Sequence, residues 1–205
     1  MNLSKIIFKS ILALSFIVGI SSMMYGQADP NQKIEPSYNV ALQLVIGSND
    51  AGARGELPAD LAAVSRQLKS SFSFSNYRLG STLMGRISNT GNYEYKSLSN
   101  IFGAESGAPQ QTFIEWSLNN FRVMPTARGQ NGFQMQGLRF GARVPVLMSN
   151  LSESSKSMPI YNYEPIGLNL TKVGLPENVP TLIGTLNLPG TSGTIFLIMT
   201  VKSAD

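Results

Sequence analysis

From Tyr38 to Ile46 every second residue is large and apolar, with Tyr38, Val40, Leu42, Leu44 and Ile46 separated by Asn39, Ala41, Gln43 and Val45. A period of two is what a half-buried strand needs, because successive side chains point to opposite faces of a sheet. The period then changes. Leu57, Leu61, Val64, Leu68 and Phe72 recur at steps of four, three, four and four, which stacks them along one side of an α-helix. Pro58 fits the first helical turn, where a missing N–H costs little, and Asp60 early and Lys69 late both suit the helix dipole. Burying five such side chains contributes at most about 1.5–3 kcal/mol each, against about 1–2 kcal/mol per residue for ordering the backbone. The helix therefore has to dock on a sheet.

Serines between Ser70 and Asn76 end the helix, and Tyr77, Leu79, Leu83 and Ile87 predict a second strand on which the four share a face. If that strand runs parallel to the first, the crossover is right-handed and the helix covers one side of the sheet. Asn89-Thr90-Gly91-Asn92 predicts a turn, and Tyr93-Glu94-Tyr95-Lys96 a returning antiparallel strand with its tyrosines on one face and its charges on the other. Phe102 to Gln111, rich in glycine and proline, reads as a loop.

In Thr112 to Met124, Ile114, Trp116 and Leu118 alternate with Glu115, Ser117 and Asn119, yet Phe113, Phe121 and Val123 fall on the polar side. Either both faces are partly covered or one end is wet. Asn131-Gly132 is a strong turn signal. Beyond it Leu138, Phe140, Val144, Val146 and Met148 share a face that is interrupted by Gln134, Gln136 and Ala142. Arg139 and Arg143, either side of Gly141, fall on the opposite face, about 7 Å apart along the strand. They are candidates to hold a carboxylate or sulfate, against the plainer alternative of a solvated strand face. Asn150 to Ser157 has loop composition. Tyr161, Tyr163, Ile166, Leu168 and Leu170 predict a strand after a kink at Pro165, and Gly174 to Pro180 a turn. The chain closes on a hairpin, Thr181–Leu188 with Thr194–Val201, whose last strand is apolar on both faces and belongs inside a sheet.

The expected fold is α+β and strand-rich: one amphipathic helix packed on a mostly antiparallel sheet, with a β-sandwich in the C-terminal half as the further arrangement. One domain over residues 38–205 is expected. The alternative is a small unit to about Phe102 followed by a sandwich unit from Thr112, jointed at 103–111.

The N-terminus sets the compartment. Lys5 and Lys9 precede the apolar run Ile11 to Ile20, and small residues stand at Gly26 and Ala28. That pattern predicts a signal peptide over residues 1–28, cleaved after Gly26 or Ala28, then a flexible lead-in over 29–37. A spanning helix wants about 20 apolar residues, and Ser21, Ser22 and Gln27 interrupt the run, so no membrane span is expected in the mature chain. Export places the protein in the periplasm or outside the cell. Removing Lys5 and Lys9 takes the formal charge from +4 to +2, so a pI near 9.4 overstates the basic character. The remaining cations are scattered, and no nucleic-acid partner is expected.

Histidine and cysteine are both absent. This excludes Ser-His-Asp and Cys-His mechanisms, thiolate zinc sites, histidine haem ligation and lipoprotein acylation. The loop Gly47 to Glu56 lacks both glycine-rich phosphate signatures, the acidic residues show no calcium spacing, and no cofactor or metal is expected. A glycosidase needs two facing carboxyl groups, for which Glu94, Glu115, Glu153, Glu164 and Glu177 are available. Trp116, Tyr93, Tyr95, Tyr161 and Tyr163 offer large stiff contact area for a sugar or peptide, against the plainer alternative that they fill the core or cover a sheet. An open sheet edge at the last strand would admit a partner strand.

The stretch Leu61 to Leu68 leading into Phe74 to Leu79, together with Pro180 to Gly184 and Phe196 to Met199, resembles small exported bacterial proteins of unknown function. The resemblance covers the two ends of the mature chain and implies an envelope or secreted location, with no catalytic residues. The sequence thus points to an exported, non-enzymatic protein that binds or assembles with other envelope proteins or with itself. A carbohydrate- or peptidoglycan-binding module with an aromatic face is the second reading, and a carboxylate hydrolase the third.

Overall fold

The computed structural model describes residues 35–49, 55–99, 101, 111–125, 131–151, 158–187 and 193–204. The expected signal peptide and the loops 50–54, 102–110 and 152–157 lie outside them. From Glu35 onward the chain forms one compact unit. Its strands are β1 (Ser37–Ser48), β2 (Asn76–Ser88), β3 (Tyr93–Ser99), β4 (Thr112–Pro125), β5 (Asn131–Leu151), β6 (Met158–Pro176), β7 (Thr181–Asn187) and β8 (Thr194–Ser203). A 3₁₀ turn, Ala59–Leu61, leads into the helix α1, Ala62–Ser71. Strand-rich with one short helix is what the periodicities anticipate.

The strands form two four-stranded sheets, β2-β1-β8-β7 (sheet A) and β3-β4-β5-β6 (sheet B), and every neighbouring pair is antiparallel. The parallel pairing considered for β1 and β2 is therefore replaced by an antiparallel one. Ser48 pairs with Asn76, so the segment carrying α1 leaves and rejoins the sheet at the same end. The last strand does lie inside a sheet, between β1 and β7. It is not an open edge: in sheet A the edges are β2 and β7.

One apolar layer lies between the sheets. Val40, Leu42 and Leu44 from β1 and Ile195, Leu197 and Met199 from β8 share a buried cluster with Ile114, Trp116 and Leu118 from β4 and Leu138 and Phe140 from β5. Tyr38 meets Phe121 and Phe133 across the layer, at ring centroids 5.4 and 5.2 Å apart. The helix covers the opposite face of sheet A, where Leu61, Val64 and Leu68 pack on Val45, Phe196, Ile198 and Tyr77. Leu57 and Phe72 flank them, half-buried. The Tyr77 hydroxyl lies 3.0 Å from the Leu68 carbonyl, which also accepts from Phe72 N–H at 2.9 Å, and 3.2 Å from the Phe72 carbonyl, and so ties β2 to the end of the helix.

Strict alternation fails at places that the backbone identifies. β1 and β2 shift register between Leu44 and Val45, skipping Gly80. Tyr77 and Leu79 therefore face the helix, while Leu83 and Ile87 face the sheet-sheet layer, and the four do not share a face as their spacing predicts. A bulge is the physical cause, since one extra residue inverts every side chain beyond it. In sheet B the inversion runs across three strands. Inward positions are Leu118 then Phe121 on β4, Leu138 then Met135 on β5, and Leu170 then Val173 on β6, with Asn120 and Lys172 at φ 51° and 54° between them. This explains why Phe121 and Val123 look misplaced in the sequence, and why Gln134 and Gln136 interrupt the β5 pattern. Phe133 and Met135 supply the core instead.

Three other expectations differ from the structure. Asn89 to Asn92 makes a turn, with Gly91 N–H donating to the Ser88 carbonyl at 3.1 Å, but β3 then pairs with β4 and not with β2. The turn carries the chain to the other sheet and serves the end of β4 that β3 does not reach. Phe121 N–H donates to the Gly91 carbonyl at 3.1 Å, Asn120 N–H to Asn92 Oδ1 at 2.8 Å, and Val123 N–H to Asn89 Oδ1 at 3.1 Å. Asn131 and Gly132 lie within β5, paired with Pro125 and Met124, so the Asn-Gly signal does not mark the hairpin turn. Pro165 sits inside a continuous 19-residue β6, tolerated because an edge strand has one unpaired side.

Three outcomes follow. Leu68→Ala should lower the urea unfolding free energy by about 2–5 kcal/mol, whereas exposed Gln67→Ala should change it by less than about 0.5 kcal/mol. Asn120→Gly should be close to neutral, but Asn120→Val, forcing a β-branched residue to positive φ, should cost about 1–3 kcal/mol. The Ser203 hydroxyl, hydrogen-bonded to Glu177, holds its carboxyl below the ordinary value. A depressed folded pKa contributes stability above the unfolded value, lost as pH falls through the folded one. Glu177→Gln should accordingly lower stability at pH 7 and narrow its difference from the parent below pH 4, read by urea titration at both pH values.

Candidate functional site

The outward face of sheet B is built by side chains that alternate with its core positions. Register aligns Leu98, Phe113, Arg143 and Pro165 across the four strands, and in the next row Lys96, Glu115, Gly141 and Gly167. Where the second row crosses β5 and β6 it has no side chains. The result is a groove of about 880 Å³, floored by Gly141 and Gly167, with Phe113, Arg143 and Pro165 along one wall and Arg139 and Asn169 along the other. Gly167 is required by the backbone, since a Cβ there would stand 2.5 Å from the Phe140 carbonyl oxygen. Gly141 is not confined by backbone in this way: the atoms nearest a Cβ there belong to the Glu115 side chain, from 3.2 Å.

Apolar surface is open here. Phe113 and Leu98 are 51% and 50% exposed and Tyr163 39%, and the Phe113 and Tyr163 rings meet edge to face, with centroids 5.8 Å apart. The charges are mixed. Arg139 lies 3.3 Å from Glu115, and Lys96 2.7 Å from Glu94, while Arg143 is exposed and has no ion pair among the described residues. The Lys96 ammonium, hydrogen-bonded to Glu94, holds that carboxyl below its usual range, and Glu94 raises Lys96 in return. Exposed pairs of this kind contribute little to stability.

Arg139 and Arg143 do line the same groove, but they do not close on one small anion. Four residues separate them, which is about 13 Å along a strand; the 7 Å expected from the sequence is the distance from each to Gly141. The aromatic set divides. Trp116 is 1% exposed in the core, where Tyr93 packs on it at a centroid distance of 4.8 Å. The Tyr93 hydroxyl donates to the Met84 carbonyl at 3.2 Å, tying the edge of sheet B to the edge of sheet A, and burial raises its pKa. Tyr95 packs half-buried against the same core, and Tyr161 is half-buried. Tyr163 is the exposed one of the five, and its partner Phe113 was not among the candidates. The signal for Phe113 and Leu98 was an apolar residue in the polar phase of a strand.

The carboxylates do not resemble a glycosidase pair. Glu94 and Glu115 line one small hollow of about 160 Å³, yet each faces a cation, and Glu94 is shifted downward where a general acid has to be shifted upward. Glu177 is likewise lowered, by the Ser203 hydroxyl; Glu164 is exposed, and Glu153 lies outside the described residues. No group of three or more potential metal ligands occurs among the described residues, and no described helix is long and apolar enough to cross a membrane.

No family model matches the chain, and no curated protein matches it. Among solved structures it is similar to a chain of the Klebsiella pneumoniae type II secretion system outer membrane complex (PulD, PulS and PulC HR domain), with a TM-score of 0.37 and 9% identity, over 84% of this chain and 41% of that one. It is also similar to the Salmonella SPI-1 type III secretion injectisome secretin InvG in its open gate state, with a TM-score of 0.32 and 11% identity, over 100% of this chain and 66% of that one. The chain thus spans less than two thirds of the length of either, and likeness at these scores assigns no family and no function.

Proposed function

We propose that this chain is an exported, non-enzymatic binding protein whose two sheets form a β-sandwich and whose outer sheet B face engages another polypeptide of the envelope or the secreted space. The observation that carries the reading is the groove on that face, where Phe113 and Leu98 stand exposed in company with Arg143 and exposed Tyr163 meets the Phe113 ring. Exposed apolar surface rimmed by charge is the usual form of a docking site, and aromatic and arginine side chains supply much of the energy of such sites. The absence of histidine and cysteine from the chain and the downward shift of Glu94 support binding over catalysis. A sugar-binding face built on Trp116, Tyr93 and Tyr95 is disfavoured by their burial. The reading also takes residues 1–28 as the export signal.

A photoreactive amino acid at position 113 should, in intact cells, give a covalent adduct with a second polypeptide chain. The same group at exposed Arg66 on α1 should give none. Adducts absent at position 113, or equal at both positions, would contradict the proposed working face.

A further inference from the structure

Resting on that reading, we infer that the groove takes an extended peptide segment in which acidic and apolar side chains alternate. Charge indicates the sign. Of the three cations that line the groove, Lys96 is paired with Glu94 and Arg139 with Glu115, which leaves Arg143 with no ion pair among the described residues, so the occupant that complements it is anionic. The walls indicate the form. One carries Phe113, Pro165 and Arg143, and the other, two register steps along β5 and β6, carries Arg139 and Asn169. An extended chain projects successive side chains to opposite sides, so a segment lying over Gly141 and Gly167 sends apolar side chains to the first wall and polar ones to the second.

The dimensions agree. About 13 Å separates the walls along β5, room for one extended chain with a side chain on either hand. The glycine floor crosses β5 and β6 at a spacing of about 4.8 Å, which matches about three extended residues. Arg143 gives the apolar wall its own anion contact, where a carboxylate or chain terminus can dock next to the Phe113 ring. A sugar fits less well, because Phe113 and Tyr163 meet at an interplanar angle of 63° and so offer no flat platform for stacking.

The test uses the full chain, purified as the host cell processes it, in fluorescence anisotropy titrations. The probes are a labelled short peptide alternating phenylalanine or leucine with aspartate, the same peptide with lysine for aspartate, and vesicles of equal phosphatidylglycerol and phosphatidylcholine. The aspartate peptide should bind, and the lysine peptide about tenfold more weakly or not at all. Gly141→Val, which fills the floor against a movable Glu115 side chain, and Arg143→Ser, a surface change without packing consequence, should each weaken aspartate-peptide binding by about tenfold at an unchanged unfolding midpoint. Equal binding of the two peptides, insensitivity to both variants, or Arg143-dependent binding of vesicles in place of the peptide would overturn the inference. If adducts at position 113 persist while the aspartate peptide fails to bind, the inference falls and the proposed working face stands.

Discussion

The fold depends on one apolar layer that has to be filled continuously from both sheets. β1 and β8 present their inward residues at a regular period of two. β4, β5 and β6 do not, because their alternation inverts at Asn120, Gln136 and Lys172. Without that inversion Gln134 and Gln136 would enter the layer where Phe133 and Met135 now stand, at the cost of burying polar groups without partners. The inversion is accommodated by left-handed backbone at Asn120 and Lys172. It is held on the β4 side by the Asn89 to Asn92 turn, whose two asparagine side chains and Gly91 carbonyl accept the N–H groups that β3 leaves open. A turn that looks local in sequence is thus a long-range support for the core.

The same arrangement explains what could be read in advance. The strands and the helix were legible because burial on one face enforces a period: Tyr38 to Ile46 for β1, and Leu61, Val64 and Leu68 for α1. The interior position of β8 was legible because two buried faces leave no polar phase. Pairing was legible at the closing hairpin, where β7 and β8 do pair, and not for β3. Whether Tyr93 to Ser99 joins β2 or β4 is decided by which edge the turn delivers it to, and a bulge such as that at Gly80 adds one residue without announcing which face follows. Asn131-Gly132 misled for a related reason, since the dipeptide that favours a tight turn is also tolerated at the start of a paired strand.

Of the candidate site, charge was more legible than aromaticity. Arg139 and Arg143 fall in the outward phase of a strand and reach the groove. Trp116 is drawn into the core, with Tyr93 and Tyr95 half-buried against it, by the same size that made them attractive as binding residues, while Phe113 and Leu98 stand outside on strands whose polar phase they break. An apolar residue out of phase has two explanations, an inverted strand or an exposed contact surface. Phe121 is the first case and Phe113 the second, and the sequence alone does not separate them.

The phase inversion can be measured directly because the chain has no cysteine of its own. Single cysteines introduced as Met135→Cys, Gln136→Cys and Leu138→Cys report which face each position occupies through the rate at which the folded chain reacts with a thiol reagent. The account predicts fast labelling at position 136 with protection at 135 and 138. Protection at 136 together with 138, and fast labelling at 135, would mean that β5 alternates without a break and that the core described here is wrong.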